Sequence, residues 1–117
     1  MSDAPSAAAA TSSGPVVTDD ADKHRFEISL DGELAGFAVY HRRGGRIYLV
    51  HTEIDPRFEG KGLGSALAKG VLEAERAAAE PVVPLCPFMR SYIDRHPDQA
   101  DLVDQEMLAR IDGAEAL

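Results

Sequence analysis

What this chain has little of narrows the field first. It holds a single cysteine, Cys86, in 117 residues, so no disulfide can close within it. A reducing, cytoplasmic setting is the simplest expectation. No apolar run approaches the roughly 20 residues that a bilayer-spanning helix needs, so no membrane role is expected. The run Ala7 to Ala10 has no basic segment before it and no long apolar stretch after it, which argues against a signal peptide. Nucleic acid would call for a clustered basic face, and none is present. Lys and Arg number 12 against 20 Asp and Glu, a net charge of −8. His24, His41 and His96 show no metal-ligand spacing, so no metal is expected. No internal repeat is visible.

What is present is ordinary for one globular domain: 44% hydrophobic and 27% charged residues. The acidity sits at the ends. Residues 1–22 carry four acids and no base, and residues 98–117 carry six acids and Arg110, which leaves 23–97 near neutral at +1. Residues 1–22 are rich in Ala, Ser, Thr, Pro and Asp. They offer too little apolar surface to offset chain entropy, which predicts a disordered acidic tail. Residues 112–117 are expected to be a flexible C-terminus, and 23–111 the folded domain.

From Lys23 the pattern changes. Phe26, Ile28 and Leu30 alternate with polar neighbours, the mark of a half-buried strand. Asp31-Gly32 is a strong hairpin signal, and Glu33 to His41 is the return strand. After Gly44-Gly45, Arg46 to Asp55 reads as a third strand. Strict alternation puts Ile47, Leu49, His51 and Glu53 on one face, and Tyr48, Val50, Thr52 and Ile54 on the other. Pro56 ends the strand, because proline cannot donate to a ladder. An amphipathic helix from about Gly62 to Ala79 follows, with Leu63, Leu67 and Val71 on its apolar stripe. Val82 to Leu85 is a short buried strand. Short helices are expected at about Phe88–Arg95 and Asp98–Ile111. The fold class is α+β: a three-stranded antiparallel meander, then a β-α-β unit and short C-terminal helices.

The stretch Glu59 to Ser65 carries the chemistry. Gly60, Gly62 and Gly64 stand at every second position and run into a helix start. Glycine lets backbone N–H groups converge, and a helix N-terminus adds unpaired donors and positive potential. Such a site suits a phosphate or pyrophosphate. A Walker A loop fails here, because Gly62 follows Lys61 and Asp55 holds the place of the first glycine. The dinucleotide fingerprint fails too, since Ser65 or Leu67 falls where its last Gly or Ala belongs. Glu59-Gly60-Lys61-Gly62-Leu63-Gly64 fits the coenzyme A loop of acetyltransferases, [RQ]-x-x-G-x-[GA], except at its first residue.

A second segment runs from Pro84 to Asp98. Cys86 ends a strand just before a helix that opens on Pro87, a placement that favours thiolate reactivity. It equally suits a small buried core residue. His51 and Glu53, on the strand before Pro56, are the candidate bases for an incoming amine.

The segment Glu53 to Leu67 resembles the cofactor-binding motif of the GNAT superfamily of N-acetyltransferases. With Leu85-Cys86-Pro87-Phe88 and Tyr92 to Pro97, the chain is similar to the minimal, single-domain GNAT-like acetyltransferases, from about Lys23 to Leu102. The resemblance implies a GNAT-like fold that binds acetyl-CoA and acetylates an amine, possibly on a protein. It implies that the pantetheine arm lies in a splay beside Ile54. Lys61, Gly62, Gly64 and Ser65 would meet the pyrophosphate, with Gly60 and Leu63 in the same loop. Arg57 and Lys61 would supply charge that Glu59 does not. It implies that Cys86 takes part in acetyl transfer and that Tyr92 is an acid near the coenzyme A sulfur. The alternative is a non-catalytic module that holds coenzyme A or acyl-CoA as a sensor.

Overall fold

Two tight turns set the register of the sheet. Asp31 and Gly32 have φ of 52° and 83°, the paired positive values of a two-residue hairpin whose twist matches its strands. Gly44-Gly45 closes the next hairpin. The computed structural model describes residues 14–116. Its strands are β1 (Val16–Asp20), β2 (Arg25–Leu30), β3 (Glu33–Arg43), β4 (Arg46–Ile54) and β5 (Val82–Pro84). Its helices are α1 (Leu63–Ala78), α2 (Pro87–Arg95) and α3 (Gln105–Ala116). The five strands form one sheet in chain order. Only β4 and β5 run parallel, joined by the α1 crossover.

The α+β expectation holds, with differences at both ends. The disordered-tail reading covers residues 1–22, of which 1–13 lie outside the described residues. Over 16–20 it is corrected: Val16–Asp20 pairs antiparallel with β2. Val17 packs on α1 so closely that a Cβ on Gly70 would stand 2.7 Å from it. Asp19 accepts a hydrogen bond from the Tyr40 hydroxyl at 2.6 Å. Local composition cannot register such long-range partners. At the other end, the helix expected from Asp98 divides into a 3₁₀ turn, Pro97–Leu102, and α3. α3 runs through the supposedly flexible 112–116, and Asp112 pairs with Arg90 at 3.1 Å.

A bulge in β4 matters most for the site. Val39 pairs with His51 but Tyr40 pairs with Leu49, so Val50 is an extra residue. The alternation therefore changes face. Ile47 and Leu49 are buried under α1, whereas His51 and Glu53 turn to the opposite, open face. Thr52 and Ile54 take the α1 side, since cross-strand partners share a face and Ala38, opposite Thr52, is in the core. The one-face grouping of Ile47, Leu49, His51 and Glu53 is thus corrected. Two ionisable groups in line with core positions were the warning that simple alternation breaks there.

α1 lays Leu63, Leu67, Val71 and Leu72 on Phe26, Ile28, Tyr40, Ile47 and Leu49. Each such side chain contributes about 2 kcal/mol of apolar transfer. Glu75 is buried on the same helix. Its Oε2 receives Arg42 Nη2 at 3.3 Å, and its Oε1 has no hydrogen-bond partner among the described residues.

Candidate functional site

The site is built where β4 and β5 part. Their ladder ends at Leu49 and Pro84, and the N–H groups of Leu85 and Cys86 both donate to the Leu49 carbonyl at 2.9 Å. Beyond that point β4 continues to Ile54 with β3 on one edge. Among the described residues no strand covers its other edge, so main-chain groups from Val50 to Ile54 are free to pair with a ligand. Ile54 is half-buried against the core and closes this edge.

The chain then turns through a 3₁₀ element, Pro56–Phe58, capped by Asp55, which accepts from Arg57 N at 2.9 Å. The Arg57 side chain also bonds Asp55, Nη2 to Oδ2 at 3.2 Å. Arg57 is therefore held as part of this cap. Lys61 is exposed and has no such partner among the described residues.

The glycine loop has two kinds of glycine. Gly60 and Gly62 have φ of 85° and 74°, in the left-handed region that favours glycine. Gly64 has no positive φ; a Cβ there would stand 2.8 Å from Phe88 Cζ on α2. Its smallness serves helix packing, and only its N–H serves the loop. From Gly60 to Ser65, six consecutive backbone N–H groups find no protein acceptor among the described residues, and the next, Ala66, donates to the Gly62 carbonyl at 3.1 Å. No side chain caps α1, and its first turn carries no acid. Leu63 contributes its N–H only, because its side chain is in the core. The result is an exposed row of unpaired donors at a helix N-terminus, a geometry suited to an anion.

Cys86 caps α2 and is 4% exposed. Its Sγ donates to Thr52 Oγ1 at 3.4 Å, tying α2 to β4 across the parting strands. Sequence pattern offered no signal for Thr52, because it takes the bulge to turn it toward Cys86. Tyr92, on the same short helix, is buried and stacks on His96 with ring centroids 4.0 Å apart. His96 Nδ1 lies 2.8 Å from the Tyr92 carbonyl oxygen, as a turn residue would. Burial raises the Tyr92 phenol pKa, with Asp98 and Glu73 adding to it. The hydroxyl makes no hydrogen bond among the described residues.

On the opposite sheet face, His51 Nε2 lies 3.1 Å from Glu53 Oε1, and both side chains are more than half exposed. Phe37 flanks His51 at 6.3 Å between ring centroids. The structure thus brings Cys86, Thr52 and the free β4 edge together, with the His51–Glu53 pair next to them on the far face. No group of three or more His, Cys, Asp or Glu side chains among the described residues is placed to hold a metal. No helix there is long and apolar enough to cross a membrane.

Known proteins resemble this chain in sequence. Residues 25–102 match the family model described as GCN5-related N-acetyl-transferase. The spermine/spermidine N(1)-acetyltransferase of Bacillus subtilis (strain 168) is 33% identical over a stretch covering 39% of this chain and 36% of that protein. The match thus spans little more than a third of that relative's length.

Proposed function

The chain belongs to the GCN5-related N-acetyltransferase family, and on that premise we propose that it transfers the acetyl group of acetyl-CoA to an amine. The observation that carries this reading is the run of six free N–H groups, Gly60 to Ser65, at the uncapped start of α1. It suits the coenzyme A pyrophosphate and needs no side-chain cation beyond Lys61. The pantetheine amides then pair with the free β4 edge between Val50 and Ile54, as an added strand would.

The transfer is direct. The amine nitrogen attacks the thioester carbonyl carbon and the carbon–sulfur bond breaks. The nitrogen gives a proton to the His51–Glu53 pair, directly or through one water. In the tautomer that donates Nε2–H to Glu53, the lone pair for this step is on His51 Nδ1. The leaving thiolate takes a proton from Tyr92, which is a neutral phenol at neutral pH. The open sheet face leaves room for a large acceptor, including a protein amine.

A second reading has Cys86 accept the acetyl group first. Its place at the parting of β4 and β5 favours this; its burial and its bond to Thr52 favour a positioning role. In the alternative of a pure binding module, the cradle holds coenzyme A and no acceptor turns over. Calorimetry with acetyl-CoA, read beside the amide shifts of Gly60 to Ser65, tests the cradle. An acetylation assay over amine and peptide panels then separates enzyme from binder. If acetyl-CoA moves none of those amides, the reading falls.

A further inference from the structure

On the far face of the sheet, next to the parting strands, lies a cavity of roughly 440 Å³. Val50 and Leu85, the first residues beyond the β4–β5 ladder, form its inner wall, and Tyr48 its floor. Met107 and Ile111 of α3 form the roof. That roof is fixed at both ends: Arg46 Nε bonds Asp104 Oδ2 at 2.6 Å just before α3, and Arg90 bonds Asp112 at 3.1 Å near its end. At the end away from the splay the cavity is bounded by His41 and Arg43. Arg43 is exposed, and its guanidinium has no partner among the described residues. Among the described residues no acid lines the cavity.

From the hairpin end towards the splay, the order of features is therefore a cation on β3, an apolar middle, and then on β4 His51 one residue and Glu53 three residues beyond Val50. We infer that this cavity is the acceptor site and that it takes an ω-amino carboxylate with an apolar chain. The inference rests on the acetyl-transfer reading and narrows its acceptor. The carboxylate pairs with Arg43, the methylenes lie against Val50, Leu85, Met107 and Ile111, and the amine reaches the His51–Glu53 pair. Val39 sits opposite His51 and four residues from Arg43 on β3, so roughly 13 Å of strand separates Arg43 from His51. The reaction forms an amide on the ω-nitrogen and releases the coenzyme A thiol.

Three acceptors of equal length and different far ends test it: 6-aminohexanoate, hexylamine and 1,6-diaminohexane. With acetyl-CoA saturating, the expected order of kcat/KM is carboxylate, then methyl, then ammonium. Arg43→Glu, an exposed change, should lower kcat/KM for 6-aminohexanoate about tenfold and favour the diamine. A wild-type preference for the diamine overturns the inference. So does an order that Arg43→Glu leaves alone, or acetyl-CoA binding with none of the three acetylated. The Met107 methyl resonance, followed without acetyl-CoA, keeps the two readings apart. A shift with 6-aminohexanoate, lost in Arg43→Glu, supports the cavity even if acetyl-CoA fails to bind. No shift sinks the cavity even if acetyl-CoA binds.

Discussion

Cys86 Sγ stands 3.4 Å from Thr52 Oγ1, so the start of α2 is tethered to β4 where β4 leaves β5. A thiol spent on this contact positions the helix. Cys86→Ser keeps a donor in place, so stability should change by about 1 kcal/mol or less and kcat by only severalfold. Intact mass after incubation with acetyl-CoA should show no adduct. An acetylated Cys86, together with a Ser variant that has lost turnover, would reverse the assignment in favour of the covalent route.

The glycines of the loop should fail in different ways. Gly62→Ala forces a side chain to φ of 74°, which costs about 1–2 kcal/mol. Calorimetry should read this as roughly tenfold weaker acetyl-CoA binding. Gly64→Ala instead drives a methyl against Phe88. The partial exposure of Phe88 lets it yield, so Phe88→Ala should relieve the defect. Additive losses in Gly64→Ala and Phe88→Ala would show that this contact is not the reason for glycine at 64.

His51 and Glu53 should behave as one unit. Removing either, by His51→Ala or Glu53→Gln, should lower kcat about a hundredfold with acetyl-CoA affinity intact. The double variant should be little worse than either single one. Multiplying defects would mean separate roles.

Tyr92→Phe removes the proton donor for the thiolate and leaves the ring stacked on His96. Turnover with acetyl-CoA should fall about tenfold or more while thermal stability holds. Unchanged turnover would make Tyr92 a packing residue.

Glu75 gives the fold a pH dependence outside the site. Burial holds its carboxyl well above the usual range, to about 8, with Glu80 adding to the effect and Arg42 opposing it. The native state therefore keeps a proton that the unfolded chain gives up. Stability from this group is full below the ordinary carboxylate range and is lost as pH rises toward 8. Glu80 is shifted the other way, so its contribution falls at lower pH. Denaturation midpoints measured from pH 5 to 8.5 should decline for the wild type and stay flatter for Glu75→Gln. Parallel curves would contradict the assignment.

Much of the site was legible because it is local. The loop, the helix it opens and the proline that ends β4 lie within a few residues of each other, and turn and cap chemistry act over that range. Glu75 was partly legible: four residues after Val71, it falls on the helix's own apolar stripe. The strand at Val16–Asp20 was not, because beside the adjacent β2 it is held by Tyr40, Arg42 and the bare surface of Gly70, all distant in sequence. Nor was the Cys86–Thr52 contact, which spans 34 residues.

The sequence by itself determined the α+β order, the glycine loop at a helix start and the family to which they point. Only the tertiary structure decided which side of the sheet each group serves. One extra residue, Val50, turns His51 and Glu53 away from the core and Thr52 toward Cys86. A bulge arises from pairing with a neighbouring strand, so no reading of β4 alone can place it.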